Sequence, residues 1–185
     1  EVILNEEEEK IAKTLNLLTL KPILVVLNVD EVDLKRSDEV ASYFAERLKI
    51  NPDCVVAICA KTESELSSLD ENDQKAYLAD LGISEPGLER LIRKAFSTLG
   101  LINFLTAGEK EVRAWTIKKG TNAQEASGEI HSDFAKNFIR AEVVSFDDFV
   151  LLGGWKASRQ AGKVRSEGRD YIVSDGDVIE FLIGK

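Results

Sequence analysis

The stretch Lys21-Pro22-Ile23-Leu24-Val25-Val26-Leu27-Asn28-Val29-Asp30-Glu31 decides how this chain is read. From Ile23 to Leu27 no polar side chain interrupts the run. It therefore predicts a strand covered on both faces, the habit of parallel α/β sheets. A polar tip follows at once. In open α/β sheets, ligands bind in the crevice beyond the carboxyl ends of the strands, and Asn28, Val29 and Glu31 stand at that level. Asn28 brings an amide that donates and accepts, and Glu31 a carboxylate that only accepts. By residue type alone the same tip also suits an ordinary turn.

Before this stretch, Asn5 is a good helix N-cap and Glu8 lies three residues on, as in a capping box. Ile11, Leu15 and Leu18 then recur at helical spacing, so one helix is expected to run to the break at Pro22. After it, Val40, Tyr43, Phe44 and Leu48 give residues 37–49 an apolar helical stripe. Residues 54–59, from Cys54 to Cys59, repeat the buried-strand pattern, with Cys59, Ala60 and Lys61 at its polar end. A short helix is expected over 70–80, stopping near Gly82. Another is expected over 87–99, with Leu88, Leu91, Ile92 and Phe96 on one side. Strands alternating with helices imply parallel pairing through crossovers.

After Gly100 the texture changes. Alternation marks a strand over 112–119 with a turn at Gly120, then a helix over 123–130 and a strand over 139–144. Residues 171–182 read as a hairpin turning at Ser174-Asp175-Gly176-Asp177. The expected fold class is α/β over residues 21–100 followed by α+β over 101–185.

The chain has 185 residues, 33 acidic and 24 basic, for a net charge of −9. Residues 1–100 hold nearly all of the imbalance, at net −8 against −1 for the rest. That acidity argues against broad adhesion to nucleic acid. No apolar run reaches the roughly 18–20 residues of a membrane span and no start resembles a signal peptide, so a soluble, cytoplasmic protein with no membrane partner is expected. Two cysteines and the single His131 supply neither a disulfide framework nor a metal-ligand set. His131 is expected to end the helix before it. The chain contains no methionine and begins at Glu1; the expectation is a piece of something longer, and a monomer.

The first stretch resembles the nucleotide-base motif of the YchF/Obg-like ATPases, P-loop NTPases of the Obg branch of translation-factor GTPases. Cys59-Ala60-Lys61-Thr62-Glu63-Ser64-Glu65-Leu66 resembles that family's Ser-Ala-Lys base loop, with Cys59 where serine is usual. Leu105-Thr106-Ala107-Gly108, residues 111–120, Ile130-His131-Ser132-Asp133-Phe134 and Asp175-Gly176-Asp177-Val178 are similar to its C-terminal TGS domain. The resemblance covers nearly the whole chain, with several separate motifs in the family's order. It implies the end of a helical hairpin over 1–20, the C-terminal part of the nucleotide domain over 21–100, and a β-grasp TGS domain over 101–185.

The resemblance also implies a ligand. Most GTPases use Asn-Lys-x-Asp, whose aspartate takes two hydrogen bonds from guanine; here Glu31 and Val29 replace the aspartate and the lysine. Adenine offers an acceptor at N1 and a donor at N6 and cannot satisfy that carboxylate fork. The resemblance implies ATP in preference to GTP, bound by Asn28, Val29, Glu31, Cys59, Ala60 and Lys61. Such a substitution is large enough to change specificity, and it speaks against a conventional Obg-type GTPase. No G-x-x-x-x-G-K-[ST] occurs, since Gly153-Gly154-Trp155-Lys156-Ala157-Ser158 lacks the spacing. The Mg²⁺-holding residues are expected upstream in the family, and no catalytic residue is assigned here. The parent is expected to be an ATPase, and this chain alone to be inactive and to bind nucleotide weakly or not at all.

For the second half, the resemblance implies contact with the ribosome or ribosomal RNA. Lys118, Lys119, Arg140 and Arg165 are the candidates, with Lys156, Arg159, Lys163 and Arg169 able to join a shallow basic patch. Trp115 lies in the alternating strand and is expected to point inward. The alternative function is a non-catalytic TGS-type module that binds RNA or protein.

Overall fold

The computed structural model describes residues 5–108 and 110–184. It forms two compact units, the first ending at Leu99 and the second beginning at Gly100. It is a mixed α/β structure, with a small parallel sheet in the first unit and a larger mixed sheet in the second.

The first unit opens with α1 (Glu6–Thr14), capped as its residues dictate. Asn5 accepts from the Glu7 and Glu8 amides, and the Glu8 carboxylate answers the Asn5 amide at 2.9 Å. The expected long helix does not form. Asn16 turns left-handed at φ 51° and a separate 3₁₀ turn spans Leu18–Leu20. Asparagine tolerates that conformation because its short side chain bonds locally. Ile11, Leu15 and Leu18 are all exposed.

Strands β1 (Val25–Asn28) and β2 (Val55–Ile58) pair in parallel, Val25 beside Val55 and Asn28 beside Ile58. Between them come α2 (Glu31–Leu34) and α3 (Ser37–Leu48); after them come α4 (Ala60–Leu66), α5 (Glu71–Leu81) and α6 (Gly87–Thr98). β2 is buried, as its sequence requires. β1 is not covered on both faces: Val25 and Leu27 pack with Ala41, Ala45 and Val55, whereas Val26 on the opposite face is 43% exposed. The reason is that β1 has one strand neighbour among the described residues.

The helix over 37–49 also turns differently from its apolar stripe. Ala41 and Ala45 are buried, and Tyr43, Phe44 and Leu48 are exposed, because small residues let the helix approach the sheet. In α5, the Asp70 carboxylate accepts from the Asn72 and Asp73 amides, and Gly82 closes the helix at φ 70°. α6 is capped from outside its own chain segment: the Glu63 carboxylate accepts from the Gly87 and Leu88 amides at 2.7 and 3.1 Å. Gly87 must lack a side chain, since a Cβ there would lie 2.8 Å from Ile58 Cγ2.

In the second unit β3 (Leu101–Ala107) and β4 (Val112–Lys118) form an antiparallel pair, followed by α7 (Ala123–Ile130) and α8 (Ser132–Lys136). Then come β5 (Phe138–Ser145), α9 (Phe146–Leu152), α10 (Trp155–Gln160), β6 (Arg165–Glu167) and β7 (Asp177–Ile183). The sheet order is β4-β3-β7-β5-β6. β7 lies parallel to β3 and antiparallel to β5. The expected hairpin over 171–182 is therefore absent as a pairing. Its turn exists, with Gly176 at φ 80°, but β5 and β3 occupy both edges of β7. Residues 171–173 instead bond to the start of α7, where the Ala123 amide donates to Tyr171 and the Val173 amide to Thr121.

α7 lies on the sheet over a core of Phe104, Ile117, Ala126, Phe138, Val143 and Ile179. Phe181 meets Phe104 and Phe138 edge-on at 5.8 and 6.1 Å, a favoured aromatic geometry. His131 ends α7 and caps α8, its Nδ1 accepting from the Asp133 amide. Trp115 packs on the core, and its indole N–H donates to Thr106 Oγ1 at 2.9 Å.

Candidate functional site

Two chain turns meet at the carboxyl ends of β1 and β2. The Val29 amide donates to the Ile58 carbonyl at 2.8 Å, carrying the ladder past the strand. The Asn28 side chain then crosses to the other turn, where its Oδ1 accepts from the Ala60 amide at 3.0 Å. That bond fixes which end of the amide is oxygen. The Nδ2 group keeps its donors, with no partner among the described residues, and can donate to an acceptor nitrogen or oxygen of a ligand. Cys59 is the N-cap residue of α4, makes no side-chain cap bond there and is buried.

Glu31 opens α2 a few residues past Asn28. One carboxylate oxygen accepts from the Tyr77 hydroxyl at 3.3 Å, and the other lies 3.9 Å from Lys61 Nζ. Lys61 also stands 3.8 Å from Glu65, and the Tyr77 hydroxyl donates to Glu65 in a shorter bond. Glu31, Lys61, Glu65 and Tyr77 thus form one network. The bond to Glu65, with burial and the two negative charges behind it, holds the Tyr77 hydroxyl far above its ordinary range. The ion pairs of Lys61 are solvent-exposed and contribute little to stability.

Asn28, Val29, Glu31, Ala60 and Lys61 are therefore brought to one place. Tyr77 and Glu65 complete the cluster, and residue patterns did not single out either of them for a role. The only local signal was the Lys61–Glu65 spacing along a helix; Tyr77 arrives by tertiary contact alone.

The cations of the second unit are not gathered. Lys118 and Lys119 lie at the end of β4, Arg140 on β5 and Arg165 on β6, with β3 and β7 between the first pair and the others. Arg140 pairs with Glu142, and Arg165 with Glu167 and Asp177. Arg159 is bound by Glu142 and Glu180, and Lys163 by Asp148. Lys118 and Lys119 have no ion pair among the described residues. Among those residues no group of His, Cys, Asp and Glu is arranged to hold a metal ion, and no helix is long and apolar enough to cross a membrane.

Residues 101–184 match a family model described as YchF-GTPase_C, a protein of unknown function. The chain is 48% identical over 179 residues to the ribosome-binding ATPase YchF of Bacillus subtilis, covering 95% of this chain and 49% of that protein. It is 43% identical over 182 residues to the protein of the same name from Escherichia coli O157:H7, covering 97% and 49%. The solved structure of the Schizosaccharomyces pombe YchF GTPase superimposes with a TM-score of 0.81 at 30% identity, over 98% of this chain and 49% of that one. The chain spans about half the length of the curated relatives it matches.

Proposed function

The chain belongs to the YchF family, and from that premise we propose that it carries the base-reading loops of an ATP-binding protein, joined to a ribosome-contacting β-grasp domain of the TGS type. The observation that supports the first part is the bond from the Ala60 amide to Asn28, which locks the two turns into one platform. Asn28 Nδ2 then donates to the purine, and the backbone around Val29 and Ala60 lines its edge.

Glu31 supports the choice of base. A guanine needs a free carboxylate to take its N1 and N2 hydrogens. Glu31 already has Tyr77 and Lys61 beside it, so guanine would have to share the carboxylate with them. A purine that asks nothing of this carboxylate avoids that cost, and differences of this kind discriminate strongly. The family name carried by the relatives includes the word ATPase; for this chain the ATP preference is our inference. Phosphates and Mg²⁺ are assigned to residues in the part of the relatives that this chain does not span, and hydrolysis by this chain alone is not expected. Ribosome contact is proposed for the second unit, where Lys118 and Lys119 have no ion pair among the described residues and Arg140 and Arg165 have ion pairs but are themselves exposed.

Backbone amide shifts of the ¹⁵N-labelled chain, followed during titration with ATP and with GTP, test the reading. ATP is expected to move the amides of Asn28, Val29, Ala60 and Lys61 at lower concentration than GTP does, and Asn28→Ala to abolish the response. A stronger response to GTP, or a response confined to other amides, would overturn it. So would steady phosphate release from ATP by this chain.

A further inference from the structure

The two edges of the second sheet are built differently. β6, at one edge, is three residues long and carries the paired charges Arg165 and Glu167. β4, at the other, runs for seven residues in unbroken register with β3, without proline or bulge. Among the described residues no strand pairs with its outer side. Natural sheets usually blunt such an edge, because a row of unpaired amides is a template for another strand.

The register identifies the groups that face outward. The Gly108 amide donates to Glu111 and the Lys119 amide to Gly100, which marks the bonded pairs at the two ends of the β3–β4 ladder. Alternation between those ends turns the amides of Val112, Ala114, Thr116 and Lys118 away from β3. All four residues are exposed. The Lys118 carbonyl is taken by the Thr121 amide. The carbonyls of Val112, Ala114 and Thr116 remain open, as do the four N–H groups.

Charge distinguishes the occupant. From Val112 to Thr121 the chain carries Arg113, Lys118 and Lys119 and no acid. The Arg113 guanidinium stacks 4.2 Å from the Trp115 ring centre, which keeps it at the surface. In a chain of net charge −9, this is a positive stripe running beside alternating donors and acceptors.

We propose that the outer edge of β4 is the docking site for an extended acidic polypeptide segment, which joins the sheet as an added strand. A peptide backbone satisfies donors and acceptors alike at strand spacing. A nucleic-acid backbone matches only the donors and sets phosphates against the open carbonyls. A second copy of this chain brings three more cations to the same stripe. The proposal does not depend on the nucleotide reading; it gives Lys118 and Lys119 to a peptide, so RNA contact at this edge would exclude it.

The test uses the full ¹⁵N-labelled chain and a blocked seven-residue peptide of alternating valine and glutamate. The amides of Val112, Ala114, Thr116 and Lys118 are expected to shift and to exchange more slowly with solvent, while those of Arg113 and Ile117, already bonded to β3, stay as they were. Ala114→Pro removes one outward donor without touching the ladder to β3 and is expected to weaken the peptide about tenfold. The pair Lys118→Glu with Lys119→Glu, on exposed positions, is expected to weaken it as well and to restore binding when lysine replaces glutamate in the peptide. Several results would overturn the proposal. These are no response at millimolar peptide, unchanged affinity of Ala114→Pro, stronger shifts of the same amides by oligouridylate, and concentration-dependent protection of those amides in the free chain, which would signal self-pairing.

Discussion

The two units solve the same problem with different materials. The second closes five strands over a core that includes Phe104, Phe138, Val143 and Ile179, with Phe104 at 0% exposure. The first has two strands and a small cluster of Ala41, Ala45 and Val55, and leaves Leu88 and Ile92 of α6 52% and 50% exposed. What it has instead are long polar cross-links. Arg90 donates to Ser37 Oγ at 2.7 Å and to the Ala57 carbonyl at 2.9 Å. Lys94 donates to the Val55 and Pro52 carbonyls, and Glu63 caps α6. Hydrophobic burial grows with apolar area, whereas a net hydrogen bond contributes only about 1 kcal/mol. The second unit should therefore hold itself together more firmly, and the first should depend on single polar contacts.

The sharpest way to break that contrast is to hollow each core. Phe104→Ala leaves a large cavity under α7 and is expected to destabilise the second unit by about 3–5 kcal/mol. Val55→Ala removes much less buried surface and should destabilise the first unit by about 1–2 kcal/mol. Urea unfolding followed by amide signals from each unit measures both values. A smaller loss for Phe104→Ala than for Val55→Ala would reverse the comparison.

A middle-sized effect is expected at Arg90. Replacing it by alanine leaves Ser37 Oγ and the Ala57 carbonyl without their donor, between α3, β2 and α6, and should destabilise the first unit by about 1.5–3 kcal/mol. Hydrogen exchange at β2 reads the loss directly. If β2 protection stays unchanged, the cross-links are ornaments on a unit held by its apolar contacts, and the contrast between the units is lost.

How much of this was legible in the residues depends on distance along the chain. Local chemistry was: the Asn5 cap, the Asp70 start and Gly82 stop of α5, and the span of α7 follow from neighbours within one turn. Pairings were not. Residues 171–182 contain sound turn chemistry, yet β7 finds its partners in β5 and β3, far back in sequence. On α3 the large apolar residues drew attention, while close approach to the sheet selected Ala41 and Ala45. The strand tips carrying Asn28 and Ala60 were marked by polar residues after apolar runs. Tyr77, 46 positions from Glu31, carries no such mark, because nothing about a tyrosine in a short helix says which carboxylate it will meet.

The smallest effect compares two tyrosines, one in each unit, and it is a matter of cause rather than size. Both hydroxyls are held above their ordinary value of 10.0, Tyr77 chiefly by its bond to Glu65 and Tyr171 chiefly by burial, with Asp177 second. Below pH 10 both stay protonated folded or unfolded, so whatever they contribute to stability is fully present and no change is expected between pH 6 and 8. Above that value the unfolded chain releases these protons first, and stability falls as pH rises toward the folded values. Glu65→Gln should bring Tyr77 back toward the ordinary value, followed by phenolate absorbance with Tyr77→Phe identifying the signal. Asp177→Asn should lower Tyr171 only in part, since burial remains. If instead Tyr171 responds fully and Tyr77 not at all, then the bond to Glu65 is not what holds the Tyr77 hydroxyl up, and the contrast of cause between the two tyrosines is lost.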